Sequence, residues 1–281
     1  MTAITRRRGP IRRAVQLTRR RWRKWRAGAH LISYPKCGRT WLVMLIGKAL
    51  EGHLGKRVRN PMKLRQFVRP WRDVPFILPH HDGGPEFCEP EELPRDKSEY
   101  AGRKVLFMVR DPRDVLVSSY FQNTRRNANF SGSMDEFIHQ RRGGIETIVT
   151  FYNIWAANRE VPSGFHLVAY EDLKADTAGG LRAALDFLGI HGVSDTVIQE
   201  AVEFCDFDNM RKLEASNALG TSRLAARDTS DPESFKTRKG EVGGYRDYLQ
   251  GENLAHVERV INEQLDPFYQ RYLGYTDEST S

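Results

Sequence analysis

Residues 30–41 read His30-Leu31-Ile32-Ser33-Tyr34-Pro35-Lys36-Cys37-Gly38-Arg39-Thr40-Trp41, and a helical apolar pattern runs on to Leu50. A short apolar run, a turn around one glycine, then Trp41, Leu42, Met44, Leu45 and Ile46 read as strand, loop and helix. Gly38 lets the backbone approach a ligand closely. The first turn of the helix offers N–H groups with no helical partner and the positive end of the helix dipole, which suits phosphate or sulfate. Lys36, Arg39 and the Thr40 hydroxyl add donors around the same glycine. A plain strand-to-helix turn capped by Thr40 is the other reading, but the density of donors favours an anion site. The stretch is not the Walker A pattern, which ends in Gly-Lys-Ser/Thr, because here the lysine precedes the glycine by two positions.

The same strand-loop-helix unit recurs down the chain. Lys104–Val109 is nearly continuous in apolar residues, as in a buried parallel sheet. His166–Tyr170 reads as a further strand and residues 75–78 as a short apolar run. Helices are expected over 114–121, 145–159, 181–188, 196–204 and, as the last long one, 254–269. Strands alternating with helices imply an α/β fold with a central parallel sheet flanked by helices. Ligands in such sheets bind beyond the C-terminal ends of the strands. Residues 218–240, polar and charged, read as a long surface loop.

Two further segments carry candidate binding chemistry. Arg110 closes the strongest strand, and Pro112 suits the first turn of the helix that follows. Ser118 lies eight residues beyond Arg110, about one turn into that helix, where an arginine and a hydroxyl can grip a second phosphate. Asp111 and Asp114 read as a cap and a structural ion pair. Near the C-terminus, Arg238-Lys239-Gly240-Glu241-Val242-Gly243-Gly244-Tyr245 fits a basic, glycine-rich flap over an anion.

Charge is unevenly placed. Of 44 Lys+Arg, eleven fall in residues 1–28, which hold no acid, so the rest of the chain has 33 Lys+Arg against 36 Asp+Glu. We therefore divide the chain into a basic arm, residues 1–27, and a body, residues 28–281. Ile11, Val15, Thr18, Trp22 and Trp25 share one helical face among arginines. This suits either an amphipathic helix on an anionic membrane surface or a solvated arm with its tryptophans packed on the body. The arm implies peripheral contact with an anionic surface, not a specific nucleic-acid site. It lacks the apolar stretch of a signal peptide, and no run approaches the ~18 apolar residues of a membrane span. Cys37, Cys88 and Cys205 are odd in number and widely spaced, which argues for a reducing, cytoplasmic setting and against a disulfide framework or zinc site.

In order and spacing, these segments resemble the PAPS-dependent sulfotransferase family over residues 28–270. Residues 34–41 are similar to its Tyr-Pro-Lys-Ser-Gly-Thr-Thr-Trp loop for the 5′-phosphosulfate. Arg110 and Ser118 match its 3′-phosphate signature, and residues 238–245 its Arg-Lys-Gly…Gly-Asp-Trp segment. Tyr170-Glu171-Asp172-Leu173 resembles its Tyr-Glu-Asp-Leu/Met stretch. The resemblance implies a P-loop-kinase-like sandwich. It also implies 3′-phosphoadenosine 5′-phosphosulfate (PAPS) as cofactor, PAP as product, no metal, and sulfonyl transfer to an acceptor hydroxyl or amine. Lys36 then becomes the catalytic cation at the leaving phosphate. Cys37, Gly38, Arg39 and Thr40 hold the 5′-phosphate; Arg110, Ser118, Arg238, Lys239 and Gly240 hold the 3′-phosphate. Trp41, Tyr170 and Phe207 stand near the adenine, although each alone reads as core packing.

The family places a His base after a short strand, where this chain has Ile77-Leu78-Pro79-His80-His81-Asp82. An imidazole suits the role because it titrates near neutrality. Both histidines are candidates, with His81 preferred because Asp82 follows it. The chain departs from the pattern at Cys37, Arg39 and Gly244-Tyr245, where Ser, Thr and Asp-Trp are usual. The acceptor, whether a small molecule, a lipid or a glycan, is set by residues 53–73, 83–100, 122–145 and 214–237. Two alternatives stand beside this one. An ATP-dependent small-molecule kinase would need the missing Walker lysine. An anionic-polymer-binding protein would act through the arm alone.

Overall fold

A computed structural model describes residue 18 and residues 22–68, 74–221 and 224–274. Four strands form one parallel sheet: β1 (Ala29–Ser33), β2 (Ile77–His80), β3 (Lys104–Val109) and β4 (Gly164–Ala169). Their order is β2-β1-β3-β4, and Ile32 lies opposite His80 on one side and Phe107 on the other. The chain leaves β1 for one neighbour and then crosses to the other. The C-terminal end of β1 is therefore the switch point where such sheets open a crevice.

Helices flank the sheet: α1 (Arg39–His53), α2 (Pro112–Phe121), α3 (Met134–Ile138), α4 (Ile145–Ala157), α5 (Tyr170–Ala175), α6 (Thr177–Leu188), α7 (Asp195–Phe204), α8 (Phe207–Ala215) and α9 (Gly251–Gln264). β1 is wholly buried and β3 nearly so, which explains the unbroken apolar run over residues 105–109; β1 buries His30 and Ser33 among its apolar residues. Phe107 of β3 meets Phe151 and Trp155 of α4, with ring centroids 5.9 and 5.3 Å apart.

The helical expectations hold in place and shift at their ends. α2 starts at Pro112 behind Asp111, whose carboxylate accepts the Arg113 N–H at 2.9 Å. Ser118 is thus nearly two turns into its helix, not one. The last helix ends at Gln264 instead of 269, because Asp266-Pro267 opens a separate 3₁₀ turn. Tyr170 begins a helix instead of ending a strand. Residues 218–240 have no long element of their own, yet Leu224, Ser234 and Phe235 are buried, so this is not simply a surface loop.

Most of the basic arm lies outside the described residues. Its last turn, residues 22–26, is helical. Lys24 reaches Glu99 at 2.8 Å and Asp82 at 3.3 Å, and Ala27 is buried. Trp22 and Trp25 are 47% and 70% exposed, so they do not pack on the body.

Candidate active site

At the end of β1 the chain turns sharply. Lys36 and Gly38 both take positive φ, 73° and 88°. Gly38 is required twice over. An added Cβ would lie 2.6 Å from the Tyr170 ring and 3.0 Å from Met108 Cε, and L side chains disfavour its backbone. The Trp41 N–H turns back to the Gly38 carbonyl at 2.9 Å. The rest of that first turn has no helical carbonyl to reach and can receive an anion.

A cleft of about 460 Å³ opens there. Lys36, Gly38, Arg39, Thr40 and Trp41 form one wall. Arg110 and Ser118 come from the end of β3 and from α2, and Tyr170 from the start of α5. Phe207, Arg238, Lys239 and Gly240 close the cleft from the C-terminal side. Arg110 and Lys36, 74 positions apart in sequence, thus share one crevice, as the family resemblance implies. Among the described residues, no group of three or more His, Cys, Asp or Glu is arranged to hold a metal ion.

Two predicted residues stand apart from this cleft. The Cys37 side chain is fully buried, with Sγ 3.3 Å from the Tyr152 hydroxyl; burial pushes its thiol up to about 12. Only its backbone is available to a ligand. His80 faces away, 3.0 Å from the His30 ring and stacked on Tyr100. Its imidazole is held well below the ordinary range by burial and by His30. His81 alone of the pair lines the cleft.

Asp82 does not orient His81. Its carboxylate is held by Lys97 at 2.8 Å, by the Tyr100 hydroxyl and by Lys24, and its N–H donates to His80 at 3.1 Å. The Ser33 carbonyl orients His81 instead, 2.9 Å from Nδ1. A carbonyl only accepts, so Nδ1 carries the proton and Nε2 the lone pair. Burial, and next the Arg39 charge, hold this imidazole well below its usual pKa.

The cations differ in their engagement. Lys36 Nζ donates to Gln122 Oε1 at 3.0 Å. Burial, then the charges of Lys236 and Arg126, lower its ammonium well below the ordinary lysine value. Arg110 donates to Asp114 at 3.1 Å and to the Glu241 carbonyl at 2.7 Å, and lies 4.5 Å over the Tyr170 ring. Its Nε is buried with no hydrogen-bond partner among the described residues. Arg238 donates to Tyr248 at 2.9 Å and to Glu233 at 3.1 Å, and Lys239 pairs with Asp247 at 2.6 Å.

The aromatic end is firmly built. The Trp41 indole donates to the Cys205 carbonyl at 2.9 Å and meets Tyr170 edge-on at 5.9 Å. Gly240 presses on Phe207, where a Cβ would come within 2.6 Å of the ring. The Tyr170-Glu171-Asp172 stretch owes its acids to structure: Glu171 accepts the Asp111 N–H at 2.8 Å and Asp172 pairs with Arg271.

Sequence reading missed Gln122, Glu86 and Lys236, all on the cleft wall. Gln122 follows Ser118 by four positions, a same-face helical spacing that signals it. Lys236 sits two residues before Arg238 but carries no pattern of its own.

The chain belongs to the sulfotransferase family: the model of the sulfotransferase domain matches residues 29–268. It is similar to cytosolic sulfotransferase 17 of Arabidopsis thaliana, 26% identical over 83% of this chain and 72% of that one. Among solved structures it is similar to mouse sulfotransferase SULT7A1 complexed with PAP, with TM-score 0.58 and 21% identity over 85% and 84% of the two chains. It is also similar to retinol dehydratase in complex with androsterone and PAP, with TM-score 0.58 and 20% identity over 84% and 80%. No helix among the described residues is long and apolar enough to cross a membrane.

Proposed function

We propose that this PAPS-dependent sulfotransferase passes a sulfonyl group to a polar acceptor hydroxyl, with Lys36 and His81 dividing the work. The donor, when bound, supplies a sulfonyl group on a phosphate that is a good leaving group. The residues present fit it. Gly38 forms a cradle that any Cβ would fill, and Arg110 keeps a buried, unbonded Nε in the same crevice. The observation that carries the reading is that Lys36 and Arg110 line one cleft, with an aromatic end formed by Trp41, Tyr170 and Phe207.

Lys36 neutralises negative charge on the leaving phosphate, and Gln122 holds its ammonium in place until then. Gly38, Arg39 and Thr40 hold the 5′ end through the first turn of α1. Arg110 and Ser118 bind the 3′-phosphate, joined by Arg238, Lys239 and Gly240. His81 removes the acceptor proton at Nε2, the nitrogen that Ser33 leaves unprotonated. In-line transfer of this kind needs positioning and charge neutralisation more than covalent help.

The acceptor end carries Glu86, Gln122, Asn123, Asn127 and Lys236, with Phe87 and Leu224 as its apolar members. These amides and charges, partly or fully exposed to solvent in the empty cleft, favour a hydroxyl-rich small molecule or glycan over an apolar one, because an apolar acceptor would displace their water without replacing its hydrogen bonds. Three free cysteines and the cytosolic relatives support a cytoplasmic setting. The arm's eleven cations support peripheral contact with an anionic surface.

Calorimetry with PAP, followed by a screen of hydroxyl acceptors with radiolabelled PAPS, tests the reading. PAP binds in the micromolar range or tighter, and label moves to a polar acceptor. A chain that binds no PAP, or that transfers label unchanged as Lys36→Ala, refutes it.

A further inference from the structure

The acceptor side of the cleft contains a contact that the reaction cannot keep. Arg39 Nη2 lies 2.6 Å from His81 Nε2. The Nδ1–H donates to the Ser33 carbonyl, so Nε2 offers a lone pair, and a guanidinium has only protons to give. Arg39 therefore donates to the very lone pair that an acceptor hydroxyl must reach. The contact exists only with a neutral ring, since a protonated His81 would face the guanidinium as a like charge and with no lone pair.

A second seat for the guanidinium lies on the same wall. Glu86 lines the cleft, and its Oε2 is buried with no hydrogen-bond partner among the described residues. Burial raises the Glu86 carboxyl; a hydrogen bond from its own backbone N–H and then the Arg39 charge pull it down, so the carboxylate and the guanidinium sense one another. An Arg–carboxylate pair outlasts an Arg–imidazole contact where both are desolvated, because it joins opposite charges.

We infer that Arg39 is a positioning residue that caps the base: its guanidinium rests on His81 Nε2 in the empty cleft and swings to Glu86 when an acceptor hydroxyl takes its place. This rests on the reading of His81 as base given above. The cap has two effects. Together with burial, which contributes most, and with the Lys236 and His80 charges, it keeps His81 neutral, and so competent as a base, into the acid range. It also makes acceptor entry the event that frees the base, so the nucleotide alone leaves Nε2 covered. Selectivity follows, because an acceptor must offer Nε2 a donor that competes with a guanidinium. A hydroxyl able to lodge between His81 and Glu86 does so; a bare apolar ring does not.

The test reads the His81 ring directly, by nitrogen-15 and proton NMR titration of the full chain with and without PAP, in wild type and in Arg39→Thr, Arg39→Lys and Glu86→Gln. In wild type His81 is the Nδ1–H tautomer and titrates below the ordinary 6.5. Arg39→Thr raises the midpoint by about one unit or more, and Arg39→Lys restores part of the depression. Glu86→Gln leaves the cap seated, so the midpoint stays at or below wild type. A midpoint unmoved by Arg39→Thr overturns the cap, and one raised by Glu86→Gln overturns Glu86 as the second seat. Calorimetry with PAP on Arg39→Thr separates the roles. A change of no more than about threefold fits a backbone contact to the nucleotide, whereas a loss beyond tenfold assigns the side chain to the nucleotide and overturns the cap. If Arg39→Thr misfolds, Arg39→Gln reads the same shift. Failure of wild type to bind PAP would sink the sulfotransferase mechanism while leaving the His81 result legible on its own.

Discussion

Asp114 Oδ1 accepts the Tyr245 N–H at 2.9 Å, which ties the glycine-rich flap to the helix that carries Ser118. Its other oxygen takes the Gly243 N–H at 2.9 Å and pairs with Arg110. One carboxylate thus fixes the flap and the candidate 3′-phosphate arginine in a common frame. Tyr245 is buried where the family usually has tryptophan, so the flap is anchored by its backbone and its ring together.

Removing that carboxylate should loosen the flap and leave two N–H groups and a guanidinium without their acceptor. Asp114→Ala is expected to weaken PAP binding about tenfold or more and to lower the unfolding temperature, since charge-assisted hydrogen bonds contribute about 1.5–3 kcal/mol each. Asp114→Asn keeps one acceptor and should fall between. Calorimetry gives the affinity and scanning calorimetry the stability. Equal PAP affinity in Asp114→Ala and wild type would show that the flap is held by other contacts.

Lys36 gives a prediction with a definite sign. Burial and neighbouring cations depress its ammonium in the empty cleft. An anion bound beside it favours the charged form and raises its pKa again. PAP binding should then take up protons at alkaline pH, and affinity should weaken as pH rises. Calorimetry in buffers of different ionisation enthalpy measures the uptake, which Lys36→Met should remove. Sulfonyl transfer by Lys36→Met should fall at least about 10²-fold, the range seen when one preorganised donor is lost from a transition state. Uptake that persists in Lys36→Met would assign the proton to another group.

Much of this site was legible because its chemistry is local. Lys36, Gly38 and Thr40 lie within five positions, and Arg110 ends the strand whose apolar sequence is most complete. The pairing of His81 with Asp82 failed because the chain turns there. Asp82 takes φ 49° just past the end of β2, and its carboxylate goes to Lys97 and to the Tyr100 hydroxyl, whose ring stacks on His80. Contacts made across the fold carried no such signal. Glu214 looks like one more helical carboxylate in sequence, yet it is fully buried and receives the Lys236 and Thr237 N–H groups as well as Arg126. Its partner Arg126 sits 88 positions away, where nothing local marks it.

That buried pair predicts its own result. Arg126 also donates to the Ala225 carbonyl at 2.6 Å, so the pair staples residues 225–237 beneath the flap. Glu214→Ala leaves a buried guanidinium without its counter-charge and two N–H groups without their acceptor, at a cost of about 3–5 kcal/mol. Urea unfolding should show this as a lower midpoint with an unchanged slope. Arg126→Met with Glu214→Leu, which removes both charges, should recover much of the loss. If the double variant were no better than the single one, the damage would lie in the loop's lost N–H acceptors and not in the orphaned charge.

Acid stability follows from the histidines of β1 and of the end of β2. Burial, and next the charge of Lys24, hold His30 at about 4 against an ordinary 6.5. The folded chain therefore binds fewer protons than the unfolded chain between those values. The contribution is complete above pH 6.5 and is lost progressively as pH falls toward 4. A depression of that size corresponds to about 3 kcal/mol for one group at most. His80 and His81 are lowered as well and act in the same direction. Urea midpoints measured from pH 7.5 down to 4 should decline most steeply below 6.5. His30→Gln cannot titrate, so its decline should be shallower, even if its stability at pH 7.5 is lower. A wild-type midpoint flat from 6.5 to 4 would mean that these rings reach solvent and charge without unfolding the sheet edge.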